Sequence, residues 1–123
     1  MKAQTLTKIQ DQASVETIDL MTQRFVERLK PEKVYLFGSF ADGTYTDDSD
    51  YDFYIVVDDN SDLWSVRSNA RKAIRDLKNR PVDIVVGTSS RFKRYGPSAD
   101  SLFVEGEVFR KGMLLYDRST VTL

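Results

Sequence analysis

Two spacings of hydrophobic residues alternate along the chain and predict helices and strands in turn. From Ser14 to Leu29, apolar residues recur every three or four positions, which predicts a helix that ends near Lys30, before the first proline. A second stretch with this spacing runs from Leu63 to Lys78. Three short runs rich in β-branched and aromatic residues are predicted strands: KVYLF, YDFYIVV and PVDIVVG. A last short strand, GMLLYD, is introduced by Gly112.

The order of these elements predicts an α/β (α+β) fold in which a small mixed sheet is flanked by helices. SLFVEGEVFRK, before the last strand, has the spacing of a further helix, and RFKRYGPSAD, residues 91–100, is predicted to be a loop with basic and aromatic residues. The 123 residues suit one domain, 1–123, with a core from about 14 to 117.

Charge and composition limit the kinds of binding and catalysis that the chain can support. Eighteen lysine and arginine residues and 19 aspartate and glutamate residues give a formal net charge of −1, which predicts no broad binding to nucleic acid. The absence of cysteine and histidine excludes disulfides, thiolate zinc sites and the commonest general base, so the candidate chemistry is that of carboxylates. No segment resembles a signal peptide or reaches membrane-spanning length, and we expect a cytoplasmic protein without membrane contact.

Aspartates crowd the polar loop between the first two predicted strands: Asp42, Asp47, Asp48, Asp50 and Asp52. Alternate residues of a strand point to the same side, so Asp50 and Asp52 project together. If the strand that contains Asp83 lies beside them, its carboxylate comes within about 5 Å of the pair. Two unit charges about 4 Å apart repel by roughly 4 kcal/mol at an effective dielectric of about 20, so such a group needs a cation or must take up protons. Oxygen ligands of this kind suit Mg²⁺, or Mn²⁺.

Gly38 and Ser39 directly follow the first predicted strand. A glycine there lets the backbone approach a ligand closely, and the serine can begin a short helix whose free amide groups favour an anion. These residues predict a phosphate beside a metal ion. A solvated acidic turn and a calcium loop that starts at Asp48 are competing explanations, but the sixth position of such a calcium loop is Phe53, where glycine is required.

The stretch GSFADGTYTDDSDYDFYIVV, in which ten residues separate GS from DYD, resembles the active-site motif of the polymerase-beta-type nucleotidyltransferase superfamily, and more narrowly that of the minimal nucleotidyltransferases. The resemblance covers most of the chain. It implies that Gly38 and Ser39 hold the triphosphate of ATP or another nucleoside triphosphate. It also implies that Asp50 and Asp52 bind two Mg²⁺ ions, and that Asp83 completes the metal site and is the candidate base for the acceptor hydroxyl.

The same resemblance bears on how tightly the triphosphate binds and on which molecule accepts the nucleotidyl group. Relatives usually carry arginine at the position of Asp42, and we expect the negative group here to weaken triphosphate binding. Larger relatives have further domains for the second substrate, whereas members of this size are commonly antitoxins paired with a HEPN-type ribonuclease toxin. Some of these antitoxins transfer AMP to a tyrosine of the toxin. An antitoxin that adenylylates such a toxin is the leading interpretation. The alternatives are transfer to a small molecule such as an antibiotic, with a homodimer supplying the acceptor contacts, and a non-catalytic antitoxin that acts by binding, which Asp42 favours.

The roles of two groups of basic residues are not assigned from the sequence. One face of the second predicted helix carries four basic residues: Arg67, Arg71, Arg75 and Lys78. The segment RFKRY, residues 91–95, combines charge with aromatic rings. Each is consistent with a solvated surface, and RFKRY is also consistent with contact to nucleotide phosphate, RNA or a protein partner. Neither set is assigned to the site.

Overall fold

The computed structural model describes residues 9–77, 79–98 and 102–120. Within these ranges the chain alternates between helices and strands. The helices are α1 (Gln12–Leu29), α2 (Ser39–Asp42), α3 (Leu63–Ala73), α4 (Ser89–Tyr95) and α5 (Val104–Lys111), and the strands are β1 (Lys33–Phe37), β2 (Tyr51–Val57), β3 (Val82–Thr88) and β4 (Met113–Asp117). No helix in this part of the chain is both long and apolar enough to cross a bilayer.

The four strands form one sheet in the order β3-β2-β1-β4. β1 is antiparallel to both β2 and β4, whereas β2 and β3 are parallel. The parallel pair arises because α3 carries the chain back along the sheet between β2 and β3. The predicted mixed sheet flanked by helices is thereby confirmed.

Alternate residues of β2 belong to two separate hydrophobic layers. The larger buried cluster includes residues of α1 and α3 and takes every second residue of β2: Tyr51, Phe53, Ile55 and Val57. The smaller cluster includes residues of α4 and α5 and takes the intervening residues Tyr54 and Val56. Because side chains alternate along a strand, Asp52 lies on the same face as Tyr54, the face covered by α4 and α5.

The ends of the two long helices follow from local contacts. Asp11 caps α1 and Asp62 caps α3, each accepting hydrogen bonds from backbone amides of the first turn. α1 ends as predicted, with Lys30 at a positive φ of 49°. α3 ends at Ala73, earlier than predicted, and the chain continues in turns. The guanidinium of Arg24 in α1 donates to the Ala73 carbonyl at 2.9 Å, which ties this end of α3 to α1.

Residues 91–95 belong to α4, so the prediction of a loop there was wrong. The hydroxyl oxygen of Thr88 accepts a hydrogen bond from the Arg91 amide at 3.2 Å and caps the helix. Phe92 is buried in the smaller cluster, while the basic residues on either side of it are exposed. A single buried aromatic residue in this short helix leaves no helical spacing to detect in the sequence. Residues 99 and 100 of the predicted loop lie outside the described residues.

Candidate active site

Asp52 and Asp83 lie side by side at one end of the sheet. They are directly paired across the parallel strands β2 and β3. Asp50 lies just before the first residue of β2 and is exposed. The condition for bringing these carboxylates together, that the strand of Asp83 lies beside that of Asp52, is therefore met. The larger hydrophobic cluster lies on the opposite face of the sheet from Asp52.

Asp52 is the half-buried member of this acidic group, whereas Asp50 and Asp83 are exposed. Burial, together with the negative charges of Asp83, Asp50 and Glu107, raises the pKa of Asp52 from 3.8 to about 6. Among residues 9–77, 79–98 and 102–120, none of the three aspartate side chains accepts a hydrogen bond or forms an ion pair. The protein thus leaves the negative charge at this end of the sheet without a basic partner from the described residues.

Gly38 makes room for the carboxylate of Asp52. It joins β1 to α2 with φ 74° and ψ −154°, a combination that essentially only glycine adopts. A Cβ atom at this position would lie 2.2 Å from Oδ2 of Asp52. The sequence suggested that this glycine lets the backbone approach a ligand. The structure supplies a further reason for it, which is close packing against a candidate metal ligand.

Ser39 begins α2, the short helix that the sequence predicted. Its carbonyl oxygen accepts hydrogen bonds from the amides of Gly43 at 3.0 Å and Thr44 at 3.1 Å, which close the turn after the helix. The Ser39 hydroxyl makes no hydrogen bond within the part of the chain that the structure describes. It is therefore available to a ligand at the end of β1.

Asp42 has a structural role in addition to its charge. Its Oδ1 accepts hydrogen bonds from the Thr44 hydroxyl at 2.6 Å and the Thr44 amide at 3.0 Å. These bonds hold the pKa of Asp42 below its ordinary value. Asp42 therefore stabilises the turn after α2 with its carboxylate.

A buried polar cluster lies on the same face of the sheet as Asp52. The Tyr54 hydroxyl donates to Oε2 of Glu105 at 2.6 Å, and Nε of Arg91 donates to the same oxygen at 2.9 Å. Burial opposes ionisation of Glu105, but these two bonds outweigh it and lower its pKa. Gly87 leaves space for the hydroxyl, because a Cβ atom there would lie 1.9 Å from it. Arg91, one of the basic residues that the sequence left open, thus ties α4 to α5 and β2.

The basic residues of the second predicted helix are not brought to this site, because α3 packs on the opposite face of the sheet. Arg67 donates to the Ile84 carbonyl at 3.1 Å. Arg71 is exposed, and Arg75 lies in the turns after α3. Lys78 lies outside the described residues.

The oxygen donors of Asp50, Asp52 and Asp83 suit a divalent cation such as Mg²⁺, because a cation would offset the burial and the repulsion that together raise the pKa of Asp52. As placed, no group of three acidic side chains in the described ranges is arranged to hold a metal ion. Exposed side chains change rotamer on a timescale of about picoseconds to nanoseconds, and both Asp50 and Asp83 are exposed. Metal binding would therefore require these two side chains to turn toward Asp52.

Two residues near the acidic group had no recognisable signal in the sequence. The negative charge of Glu107, in α5, contributes to the raised pKa of the Asp52 carboxyl. Arg80 donates hydrogen bonds to the loop that precedes Asp50. Each is a charged residue whose position in its own segment does not distinguish it from an ordinary solvated side chain.

The site geometry agrees with a comparison against protein families, in which residues 19–121 match the family described as Polymerase beta, Nucleotidyltransferase. The chain belongs to this family. The matched residues include the acidic group, the Gly38-Ser39 turn and all of the sheet, and they confirm the resemblance seen in the sequence. No curated protein sequence matches the chain significantly.

Three solved structures share the fold of this nucleotidyltransferase-family chain. A protein from Sulfolobus solfataricus, named as a candidate nucleotidyltransferase, is 18% identical with a TM-score of 0.55, and the match covers 88% of this chain and 84% of that one. A chain of a toxin–antitoxin structure with AMP-PNP is 21% identical with a TM-score of 0.52, covering 80% and 73%. A chain of a mutant toxin–antitoxin MntA–HpeT structure is 20% identical with a TM-score of 0.51, covering 79% and 70%. At these identities the similarity establishes the fold.

Proposed function

We propose that this protein is a Mg²⁺-dependent nucleotidyltransferase that transfers AMP from ATP to a hydroxyl group of a HEPN-type ribonuclease toxin, and that it acts as the antitoxin of that toxin. The observation that carries the proposal is the unpaired acidic group at the adjacent ends of β2 and β3, with Gly38 packed against Asp52. Membership of the nucleotidyltransferase family supports the reaction class. The two toxin–antitoxin structures, one of them with AMP-PNP, support the nucleotide and the kind of partner.

In the proposed reaction, Asp50, Asp52 and Asp83 would hold two Mg²⁺ ions, which lower the pKa of an attacking hydroxyl and neutralise charge on the departing pyrophosphate. Ser39, whose hydroxyl is available, would bind the triphosphate next to this group. The acceptor oxygen forms a bond to the α-phosphorus while the bond from that phosphorus to the bridging oxygen breaks, and pyrophosphate leaves. The Asp83 carboxylate would accept the hydroxyl proton.

A protein acceptor is supported by the position of Asp83. β3 is an edge strand of the sheet, and the Asp83 side chain near its start is exposed. A hydroxyl on the surface of another protein could therefore reach this carboxylate without entering a closed cavity. The partner would supply the acceptor contacts that larger members of the superfamily obtain from additional domains.

The test is incubation of the protein with the product of a neighbouring toxin reading frame, Mg²⁺ and ATP, followed by intact mass spectrometry of the toxin. We expect a gain of one or more AMP groups and loss of ribonuclease activity. The Asp52→Asn variant should give no mass gain, whereas Asp48→Asn, which changes an exposed carboxylate of the same loop, should behave as the unmodified protein.

Two other outcomes separate the competing functions. A stable complex with full neutralisation by Asp52→Asn and no mass change would establish a binding antitoxin and reject the transferase. No complex and no modification would reject the toxin partner and direct attention to small-molecule hydroxyls as acceptors.

A further inference from the structure

Arg80 binds the loop that leads into Asp50. Its Nη1 atom donates hydrogen bonds to the backbone carbonyls of Ser49 at 2.9 Å, Thr46 at 3.1 Å and Asp47 at 3.3 Å. The Arg80 side chain is only 14% exposed, so these bonds are partly shielded from water. One side chain therefore holds three of the four residues that directly precede Asp50.

Two aromatic rings hold the guanidinium of Arg80 in place. Its central carbon lies 4.9 Å from the ring centroid of Phe40 and 5.5 Å from that of Tyr51. Asp11, the cap of α1, lies 4.0 Å from Nη2 and adds a weak ion pair. The guanidinium is thus fixed by planar contacts that a flexible ammonium group could not reproduce.

Three of the residues that Arg80 contacts lie next to site residues. Phe40 directly follows Ser39, Ser49 directly precedes Asp50, and Tyr51 lies between Asp50 and Asp52. Arg80 itself stands three residues before Asp83. Because Tyr51 belongs to the larger cluster, the aromatic contacts of Arg80 lie on the opposite face of the sheet from the Asp52 carboxylate. Arg80 can therefore connect the segments of the site without occupying it.

We infer that Arg80 is a positioning residue: it fixes residues 46–49 so that Asp50 is held beside Asp52 for divalent-metal binding. This inference rests on the proposed function, because it assumes that the acidic group binds metal. Within the loop, the Ser49 amide donates to the Thr46 carbonyl at 3.1 Å, and the Ser49 hydroxyl oxygen accepts from the Thr46 amide at 2.8 Å. These short-range bonds close the turn, but Arg80 ties that turn to the rest of the molecule.

The experiment compares Arg80→Met, which removes the donors and keeps an apolar stem, with Arg80→Lys, which keeps charge and donors but not the planar stacking. The matched control is Arg24→Met, because Arg24 also donates to a backbone carbonyl, that of Ala73, but contacts no site segment. Two readouts are used: amide hydrogen exchange of residues 44–50 in metal-free protein, and Mn²⁺ affinity from the electron paramagnetic resonance signal of the free ion.

We expect Arg80→Met to speed exchange in residues 44–50 and to weaken Mn²⁺ binding by about 10- to 100-fold, the range typical of residues that orient metal ligands. Arg80→Lys should lie between this variant and the unmodified protein, and Arg24→Met should change neither readout. Unchanged exchange in the loop, or faster exchange with unchanged Mn²⁺ affinity, would overturn the inference while leaving the proposed function standing. If the unmodified protein binds no Mn²⁺, the proposed metal site fails, and the inference fails with it.

Discussion

Replacing Asp52 by asparagine should stabilise the metal-free protein, because the ionised carboxylate is held in an unfavourable environment. The change preserves shape and removes the charge that burial, Asp83, Asp50 and Glu107 all disfavour. Raising a pKa from 3.8 to about 6 spans about two pH units. That is about 3 kcal/mol for a fully shielded group. Since Asp52 is only half-buried, solvent screening reduces the expected gain to about 1–2 kcal/mol.

The gain should depend on pH with a definite sign. The folded state binds the Asp52 proton more tightly than the unfolded state does, since the folded pKa is near 6 and the ordinary value is 3.8. The ionised side chain therefore destabilises the fold fully above about pH 6, and this cost falls away as the pH is lowered toward about 4. In that acidic limit Asp52 is protonated in the folded protein, and the asparagine variant should have no advantage.

Urea unfolding in the presence of a chelator, repeated from about pH 8 to about pH 4, measures this difference directly. Asp48→Asn is the control, because it removes one charge from the same exposed loop without touching the acidic group. Added Mg²⁺ should stabilise the unmodified protein and not the Asp52 variant. A gain that is absent at about pH 8, or equally large at about pH 4, would refute the argument that repulsion and burial strain this carboxylate.

Two further changes test neighbouring parts of the site. Gly38→Ala should cost about 1–3 kcal/mol in urea unfolding from its backbone conformation alone, with an added clash because the new Cβ lies 2.2 Å from Asp52 Oδ2. Made in an Asp52→Ala background and compared with Asp52→Ala alone, it should still carry the backbone cost, and no loss of stability there would contradict the φ argument. Asp42→Asn keeps an acceptor for Thr44 and removes the charge, so it should lower the dissociation constant for Mg²⁺-ATP, most clearly at low salt. Asp42→Arg should lower it further only if the lost Thr44 bonds matter little, and unchanged affinity in both variants would show that Asp42 does not act on the phosphates.

The sequence predicted the arrangement of the acidic group because strand geometry imposes it. Asp52 is followed by five residues with strong strand preference, so its orientation follows from the alternation of side chains along β2, in which it is the one residue that is not fully buried. Asp83 occupies the second position of β3, and the helical stretch between the two strands favours a parallel crossover. The period of the strand and the parallel crossover favour placing these two carboxylates at the same end of the sheet, and the register seen in the structure pairs them directly.

Other features depend on contacts between segments that are distant in sequence. The local pattern suggests that Gly38 lets the backbone approach a ligand closely, but it does not reveal that the Asp52 carboxylate fills the space of the missing Cβ. The helix α4 depends on one buried aromatic residue and a threonine cap. These two features cannot be recognised from the sequence pattern of a short basic segment. Arg80 is separated by 31 to 34 residues from the carbonyls that it binds. Spacing rules describe one segment at a time, so they do not identify such partners.

The division of the sheet into two faces explains how a small chain can tolerate a group of like charges. Tyr51 and Phe53, on either side of Asp52, are fully buried in the larger cluster with α1 and α3. Burying two large aromatic side chains contributes several kcal/mol, about 1.5–3 for each, which exceeds the screened cost of about 1–2 kcal/mol at Asp52. The strand is therefore held from one face while its other face carries the charge. A ligand that neutralises Asp52 would then add stability without any change in the packing that holds β2.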